Sequence, residues 1–416
     1  MSVPAPGAGT AVCINPTETT MNPTISAASD SKPAGPAAWG AVMAMSLAAF
    51  ALVASEFMPV SLLTPLAADL RISEGQAGQS IAISGAFALI TSLCLTSVVG
   101  RLDRKTLLLA LTLLMIASGT AAAFAPNYPL FMAGRALIGV AIGGFWSMSA
   151  ATAMRLVPDA DVPRALAILN GGNALATVIA APAGSYLGAV IGWRGAFFCL
   201  VPVATVALAW LWFSLPALRP EARHASTSMA ALLKRPIVCL GMAAVSLFFM
   251  GQFALFTYLR PFLESVTRVD VSTLSLMLLV LGVAGFIGTT LIGAVLKERM
   301  YPVLIAIPLV MAAIAIALLM FGSSAAATML LLALWGLVGT AAPVGWWTWL
   351  ARTLPRDAEA GGGLMVAVVQ LAIMLGATCG GLLFDASGHV ATFGFSAGVL
   401  LAAALLALLA SRAQAR

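Results

Sequence analysis

The sequence predicts an all-α integral membrane protein with twelve transmembrane helices, arranged as two pseudo-symmetric six-helix bundles. The first observation is composition: 61% of the 416 residues are hydrophobic and only 9% are charged, whereas a soluble globular chain carries about 25% charged residues. The second is that apolar segments of bilayer length alternate with short polar connections from residue 39 onward. The third is that this pattern divides into two similar halves.

The chain begins with residues 1–38, which are rich in Pro, Ala, Ser and Thr. We expect them to form a disordered cytoplasmic tail, because they lack the apolar residues that a packed core needs. They also lack the apolar stretch behind a basic N-terminus that marks a signal peptide. An N-terminal bundle is expected over 39–215, with spans at 39–63, 76–98, 106–125, 130–154, 166–190 and 195–215.

A polar cytoplasmic loop, residues 216–236, separates this bundle from a C-terminal bundle over 237–411. The spans of the second bundle are expected at 237–259, 272–296, 302–321, 328–350, 363–384 and 390–411. Residues 412–416 form a short C-terminal segment, also expected in the cytoplasm.

The net charge of +6 does not indicate a nucleic-acid partner, because the basic residues are scattered among the connections. Most of the 21 Lys and Arg residues fall on the side that holds both termini and the central loop. The opposite side holds only Arg71, Arg194, Arg260 and Arg268. By the positive-inside rule, both termini are placed in the cytoplasm.

Two local patterns support duplication of the halves. Gly139 precedes Trp146 by the same spacing as Gly339 precedes Trp346. The two spans then end in similar polar exits, Arg155-Leu156-Val157-Pro158 and Arg352-Thr353-Leu354-Pro355. Duplicated halves are common in secondary transporters, which place substrate near the membrane midplane between the repeats.

Charges inside spans are costly and are functional candidates. Two lie deep, Glu56 in span 1 and Arg135 in span 4. Removing a carboxyl group from water favours its protonated form, whereas a nearby cation opposes this. One interpretation is a proton-coupling site at Glu56 modulated by Arg135; the other is a permanent ion pair of Glu56 with Arg135 or another group that stabilises one packing.

Other residues indicate where a substrate binds and where the helices move. Pro182 in span 5 predicts a kink or a moving hinge. Tyr258 and Arg260, at the outer end of span 7, are candidates for a gate or for an interfacial anchor. Polar and aromatic side chains at depth are candidate substrate contacts, suited to a planar heteroaromatic ligand; they are Trp146, Ser149, Asn173, Gln252, Trp346 and Gln370.

No catalytic residue, metal site or cofactor is predicted. The two histidines, His224 and His389, lie in connections, and the five cysteines have no CxxC spacing. The sequence lacks the phosphate-binding motif of ATP-driven pumps. A channel would have similar hydropathy, but duplicated halves with one buried acid favour a carrier.

These residues also carry a resemblance to a known family. Gly192-Trp193-Arg194 with Phe197, and Arg135 followed by Gly139, are similar to signatures of the major facilitator superfamily, drug:proton antiporter type. Within it, the chain resembles the bacterial purine ribonucleoside efflux pumps. The segments that carry this resemblance are residues 56–65, 143–150, 155–158, 251–261 and 343–346.

The resemblance implies a proton-coupled exporter of inosine-like nucleosides in the bacterial inner membrane. Its partners would be a purine nucleoside as small-molecule substrate, protons and the lipid bilayer, and we expect a monomer. The alternative within the same class is an exporter of sugars or of multiple drugs.

Overall fold

The computed structural model describes residues 1–2, 37–98, 103–218, 229–355 and 357–414. Within these ranges, the side chains of 95–98, 229–230, 297–298 and 358–359 are not described. Most of the predicted disordered tail, residues 3–36 of 1–38, therefore lies outside the described residues. The same holds for residues 219–228 of the predicted central loop.

Helices account for nearly all of the first half that is described. They are α1 (Trp39–Leu70), α2 (Glu74–Val98), α3 (Arg104–Ala123), α4 (Tyr128–Arg155), α5 (Val162–Phe198) and α6 (Leu200–Ser214). A single 3-10 turn, Asp159–Asp161, precedes α5.

The second half is also helical. Its helices are α7 (Met229–Leu233), α8 (Pro236–Thr257), α9 (Leu259–Phe262), α10 (Val271–Phe321), α11 (Ala325–Gly339), α12 (Ala342–Thr353) and α13 (Ala358–Gln414). A π-helical turn, Leu263–Thr267, follows α9. The short helix α7 lies inside the segment predicted to be a loop.

Ten helical segments of the described residues are long and apolar enough to cross a membrane. Two of them, Asp159–Ser214 and Ala360–Gln414, each run for more than 50 residues, or roughly 80 Å, against a hydrocarbon core of about 30 Å. Each of these two bends back at a non-helical glycine, Gly192 and Gly388. The described residues thus account for twelve spans, and the predicted fold class is confirmed; the residue bounds of the two bundles stay predictions.

Most spans differ by a few residues from the sequence-based bounds, and two differ in a way that has a clear physical reason. Span 1 continues beyond residue 63 to Leu70, where Arg71 takes a left-handed conformation and its N–H closes the last turn. Span 10 is divided after Gly339, because Pro343 opens a new helix and has no N–H to continue the old one. The hydroxyl of Thr289 on α10 donates to the Thr340 carbonyl at this break, at 3.0 Å.

Backbone conformation supports the internal repeat. Arg71 ends the first span with φ 55°, and Arg268 follows the seventh with φ 57°. Gly192 and Gly388 turn the chain between spans 5 and 6 and between spans 11 and 12, with φ 77° and 73°. Along the sequence, the two members of each pair are separated by close to half the length of the helical region. Corresponding helices of the two halves therefore end with the same backbone conformation.

The largest contacts between the two halves run along two helix pairs. Helix α2 packs against α13, and α5 packs against α10. Gly282 of α10 lies directly against the backbone of Val178 on α5, with a built Cβ 2.9 Å from the Val178 carbonyl oxygen. That carbonyl lies four residues before Pro182, whose missing N–H leaves it without its usual helical partner.

The two reversing glycines give a first prediction. Gly192 (φ 77°, ψ 161°) and Gly388 (φ 73°, ψ −166°) occupy a region of backbone space that essentially only glycine adopts. A Cβ at either position would meet no neighbour within 4 Å, so any penalty comes from the backbone alone. We expect Gly192→Ala or Gly388→Ala to lower the free energy of unfolding by about 1–3 kcal/mol, measured as a lower Tm of the protein in detergent.

Gly394→Ala is the matched control, because Gly394 also has open space around it but lies inside α13 without a positive φ. It should leave the Tm unchanged or raise it slightly. Equal Tm values for all three variants would contradict the argument.

Candidate functional site

A fully buried guanidinium joins three helices of the first half. Arg135 on α4 has no exposed surface. Its Nη1 donates to the Ser55 carbonyl at 2.7 Å, and its Nη2 donates to the Glu56 carbonyl at 2.9 Å, both on α1. On α2, Nε donates to the Ser80 carbonyl at 3.1 Å, and Nη2 lies 3.4 Å from the Ser84 hydroxyl. The guanidinium is thus held mainly by backbone oxygens.

The carboxyl group of Glu56 lies beside this network and is also buried, with 4% of the residue exposed. The positive charge of Arg135 acts on it, and the side-chain amide of Gln370 on α13 lies beside it. The Arg135 N–H groups go to the Glu56 carbonyl and its neighbours rather than to the carboxylate. The carboxyl group therefore faces the other half of the protein through an uncharged amide.

Two buried amide oxygens have no hydrogen-bond partner among the described residues. They are Oε1 of Gln370 and Oε1 of Gln252. Gln252 lies on α8 with its amide nitrogen close to Gly339 of α11. Unpaired acceptors in an apolar interior are costly, and they are suited to N–H or O–H donors of a ligand.

The two predicted tryptophans lie in different surroundings. Trp146 is half-buried, with its ring edge-on to Phe145 at a centroid distance of 5.7 Å. Trp346 is buried in the apolar core of the second half, edge-on to Trp349 at 5.9 Å. Their ring contacts are thus with neighbours in their own halves and not with each other.

The other predicted polar contacts are also spread over several helices. Ser149 is buried on α4, and Asn173 is half-buried on α5. Pro182 is half-buried within α5, where the backbone stays helical and the interruption comes only at Gly192. The structure therefore brings Glu56, Arg135 and Gln370 together but leaves the remaining predicted residues apart.

The side chains at the end of span 7 contact the first half. Tyr258 is fully buried; its hydroxyl donates to the Ala377 carbonyl at 2.8 Å and lies 3.5 Å from the Gly75 carbonyl of α2. A Cβ on either Gly78 of α2 or Gly381 of α13 would overlap the Tyr258 hydroxyl. The ring thus fills a slot between the two halves that only glycine backbones leave open.

Arg260 makes a second contact across the halves at this end. Its guanidinium donates to the Ser61 carbonyl on α1 and, at 2.8 Å, to the Glu264 carboxylate on its own half. Both Tyr258 and Arg260 are buried in protein, unlike side chains that anchor a helix at the lipid surface.

Asp385 is a residue whose importance the sequence did not indicate. Its carboxylate accepts from the Ser73 hydroxyl at 2.5 Å and from the Gly75 N–H at 2.9 Å. Ser73 and Gln76 also cap each other at the start of α2, so a carboxylate from the second half caps a helix of the first. Nearby, Thr378 donates to Gln79 at 3.2 Å. The only sequence signal was an acid at a span end, which is common in membrane proteins.

Comparisons with known proteins identify the family. The sequence profile described as Major Facilitator Superfamily matches residues 45–372. The transcription regulatory protein OpdE of Pseudomonas aeruginosa is 64% identical over 381 residues, which cover 91% of this chain and 95% of that protein. The purine ribonucleoside efflux pump NepI of Salmonella paratyphi B is 42% identical over 368 residues, which cover 88% and 93%.

A solved structure agrees with this at the level of the fold. The human organic anion transporter MFSD10 (TETRAN) superposes with a TM-score of 0.63 at 16% identity, over 88% of this chain and 98% of that one. With a profile that matches most of the chain, and relatives at 64% and 42% identity along nearly their whole length, the chain belongs to the Major Facilitator Superfamily.

Proposed function

We propose that the chain exports purine ribonucleosides such as inosine in exchange for protons, by alternating access of its two halves. Family membership establishes the coarser statement, a multi-pass membrane transporter of small molecules. The nucleoside substrate is supported by the 42% identity to NepI. The bacterial inner membrane and cytoplasmic termini are part of the proposal, supported by the distribution of Lys and Arg.

Proton coupling is proposed because of the position of Glu56. A carboxyl group buried between helices, and not directly paired with the nearby guanidinium, can change protonation state without breaking an ion pair. Arg135 keeps its carbonyl partners in either state, so it modulates Glu56 through its charge. In alternating access, Glu56 would load a proton from one side and release it to the other.

The proposed nucleoside site rests on the two buried amide oxygens that have no hydrogen-bond partner among the described residues. A purine nucleoside offers N–H and O–H donors on a planar ring and a sugar, which match the free oxygens of Gln252 and Gln370. Trp146 and Asn173 are partly exposed in this conformation. Ser149 and Trp346 are buried, so their contact with substrate requires movement of the helices.

The contacts of Tyr258, Arg260 and Asp385 form the proposed outer gate. In the proposed orientation they lie on the periplasmic side, since α1 runs from the cytoplasm to Arg71. A closed outer end is the arrangement in which substrate enters from the cytoplasm. Export then requires these contacts to open, with Pro182 on α5 as a proposed hinge against α10.

The name of OpdE suggests a second function, in gene regulation. A transporter that sets the internal concentration of an inducing solute would change transcription without touching DNA. The basic residues of this chain are scattered along the sequence among short connections, whereas DNA binding needs a clustered positive surface. We therefore favour transport as the direct activity.

Glu56→Gln tests the proton site. Purified protein in proteoliposomes with an acidic lumen should accumulate labelled inosine as protons leave. The variant should lose this accumulation, because a glutamine side chain cannot carry the proton, but it should still exchange internal for external inosine without a pH gradient.

Asp159→Asn is the control, since Asp159 is an exposed carboxylate in the 3-10 turn before α5; it should accumulate inosine like the wild type. Full accumulation by Glu56→Gln would contradict proton coupling at this residue. Uptake of sugars or assorted drugs, and not of inosine, would favour the alternative substrate class.

Asp385→Ala tests the outer gate. Replacing a capping side chain by alanine costs about 1 kcal/mol, a factor of about five in an equilibrium, because the Ser73 hydroxyl and the Gly75 N–H lose their acceptor. In a background without native cysteines, Thr378→Cys should therefore react about fivefold faster with a membrane-impermeant maleimide when Asp385→Ala is added.

Asp270→Ala is the matched control for the gate, because Asp270 caps α10 within the second half, with Oδ2 3.2 Å from the Ser272 nitrogen. It should leave the labelling rate unchanged. The same rate in all three backgrounds would mean that Asp385 does not hold the outer end closed.

A further inference from the structure

Gln370 lies where the two halves meet at the level of the proton site. It is on α13, with 5% of the residue exposed, and its amide faces the Glu56 carboxyl of α1. Helix α2 comes close at the same height, since a Cβ at Gly85 would lie 3.1 Å from the Gln370 carbonyl oxygen. The amide is thus a polar group between the halves, beside the Glu56 carboxyl group.

The nitrogen and the oxygen of the Gln370 side-chain amide differ in their surroundings. Its N–H group is the end that can donate to an ionised carboxylate, and Oε1 has no partner among the described residues. A buried acceptor without a partner is rare in native structures. The unpaired oxygen is therefore suited to receive a hydrogen bond that is formed only in one step of the transport cycle.

We propose that Oε1 of Gln370 is occupied in turn by the substrate and by the protonated carboxyl group of Glu56. When Glu56 is ionised, the amide N–H donates to it and Oε1 is free to accept an N–H or O–H of the nucleoside. When Glu56 takes up a proton from water, its carboxyl O–H becomes a donor. The amide then turns to present Oε1 to that O–H, and the substrate loses its acceptor.

This arrangement makes proton and substrate exclude each other at one atom. Mutual exclusion is what an antiporter needs, because the carrier must not return with both ligands or with neither. The inference rests on the proposed function and adds a residue that transmits the protonation state of Glu56 to the substrate. Gln370 was predicted as a substrate contact only; its position assigns it to both ligands.

The charged groups around Glu56 are compatible with a single titrating site. The guanidinium of Arg135 on α4 lies next to Glu56, where it donates to the Glu56 carbonyl. The guanidinium of Arg260 on α9 donates to the Ser61 carbonyl, further along α1. The remaining described charged side chains on α2, α4, α5 and α13 lie near the ends of the membrane spans; they are Glu74, Arg155, Arg164, Arg194, Asp385, His389 and Arg412.

The test measures the affinity of purified full-length protein for labelled inosine as a function of pH. The wild type should bind inosine less tightly as the pH is lowered, since Glu56 then takes up a proton. Gln370→Met keeps the length of the side chain without its hydrogen bonds. It should weaken binding about three- to tenfold at high pH and remove most of the pH dependence.

Gln252→Met is the matched control, because Gln252 also has a free Oε1 but its amide lies beside Gly339. It should weaken binding to a similar extent at every pH and keep the wild-type pH dependence. Gln370→Asn, which keeps an amide but withdraws it by one methylene group, should flatten the pH dependence as Gln370→Met does. This second variant provides the same readout if the methionine variant does not fold.

Full wild-type pH dependence in a folded Gln370 variant would overturn the inference while leaving the proposed function intact. Flattening by Gln252→Met to the same degree would also overturn it, since the effect would then not be specific to the residue beside Glu56. Failure of the wild type to bind inosine at any pH would overturn the proposed function and this inference with it.

Discussion

The arrangement of the first half depends on the guanidinium of Arg135. The guanidinium of Arg135 has no surface exposed to water, so each of its N–H groups is costly unless it finds an oxygen within the protein. Here the oxygens belong to the backbones of α1 and α2. The glycine face of α4 makes this possible, because a Cβ at Gly139 or Gly143 would overlap the backbone of α2. The contact fixes α1 in height and rotation, and so fixes where the Glu56 carboxyl group points.

The contacts at the outer end follow a different physical rule. Asp385 lies close to the break of α13 at Gly388, and Ser73 directly precedes α2. The two side chains hydrogen-bond at a partly exposed site. When such a contact opens, water can satisfy the freed groups, so the cost of opening is small. Water cannot replace the hydrogen-bond partners of Arg135 in this way, because its guanidinium is fully buried. A carrier needs both kinds of contact: permanent ones within a half, and exchangeable ones between the halves.

The relatives of this chain carry names from two fields of biology, transport and gene regulation. The shared helical body and the buried charges are features of a carrier, and they extend over the region matched by the family profile. A regulatory effect of such a protein is understandable as a consequence of the solute it moves. Glu56 and Gln370 both fall within that region, so the proposed coupling belongs to the carrier body.

The sequence by itself determined the number of spans, the duplication and the two deep charges, because apolar length and the rarity of ionisable residues are local properties that lipid enforces. It also pointed to Tyr258 and Arg260 at the end of span 7. It did not locate the division of span 10 or the extension of span 1, where single residues such as Pro343 and Arg71 act through backbone geometry.

Only the tertiary structure decided what these residues contact. Trp346 resembled Trp146 in the sequence repeat but packs into an apolar core, and Asp385 resembled an ordinary span end but caps a helix of the other half. Gln370 faces Glu56 although more than 300 residues separate them. Such contacts depend on how helices far apart in the chain are rotated and shifted against one another, and a hydropathy pattern carries no record of that placement.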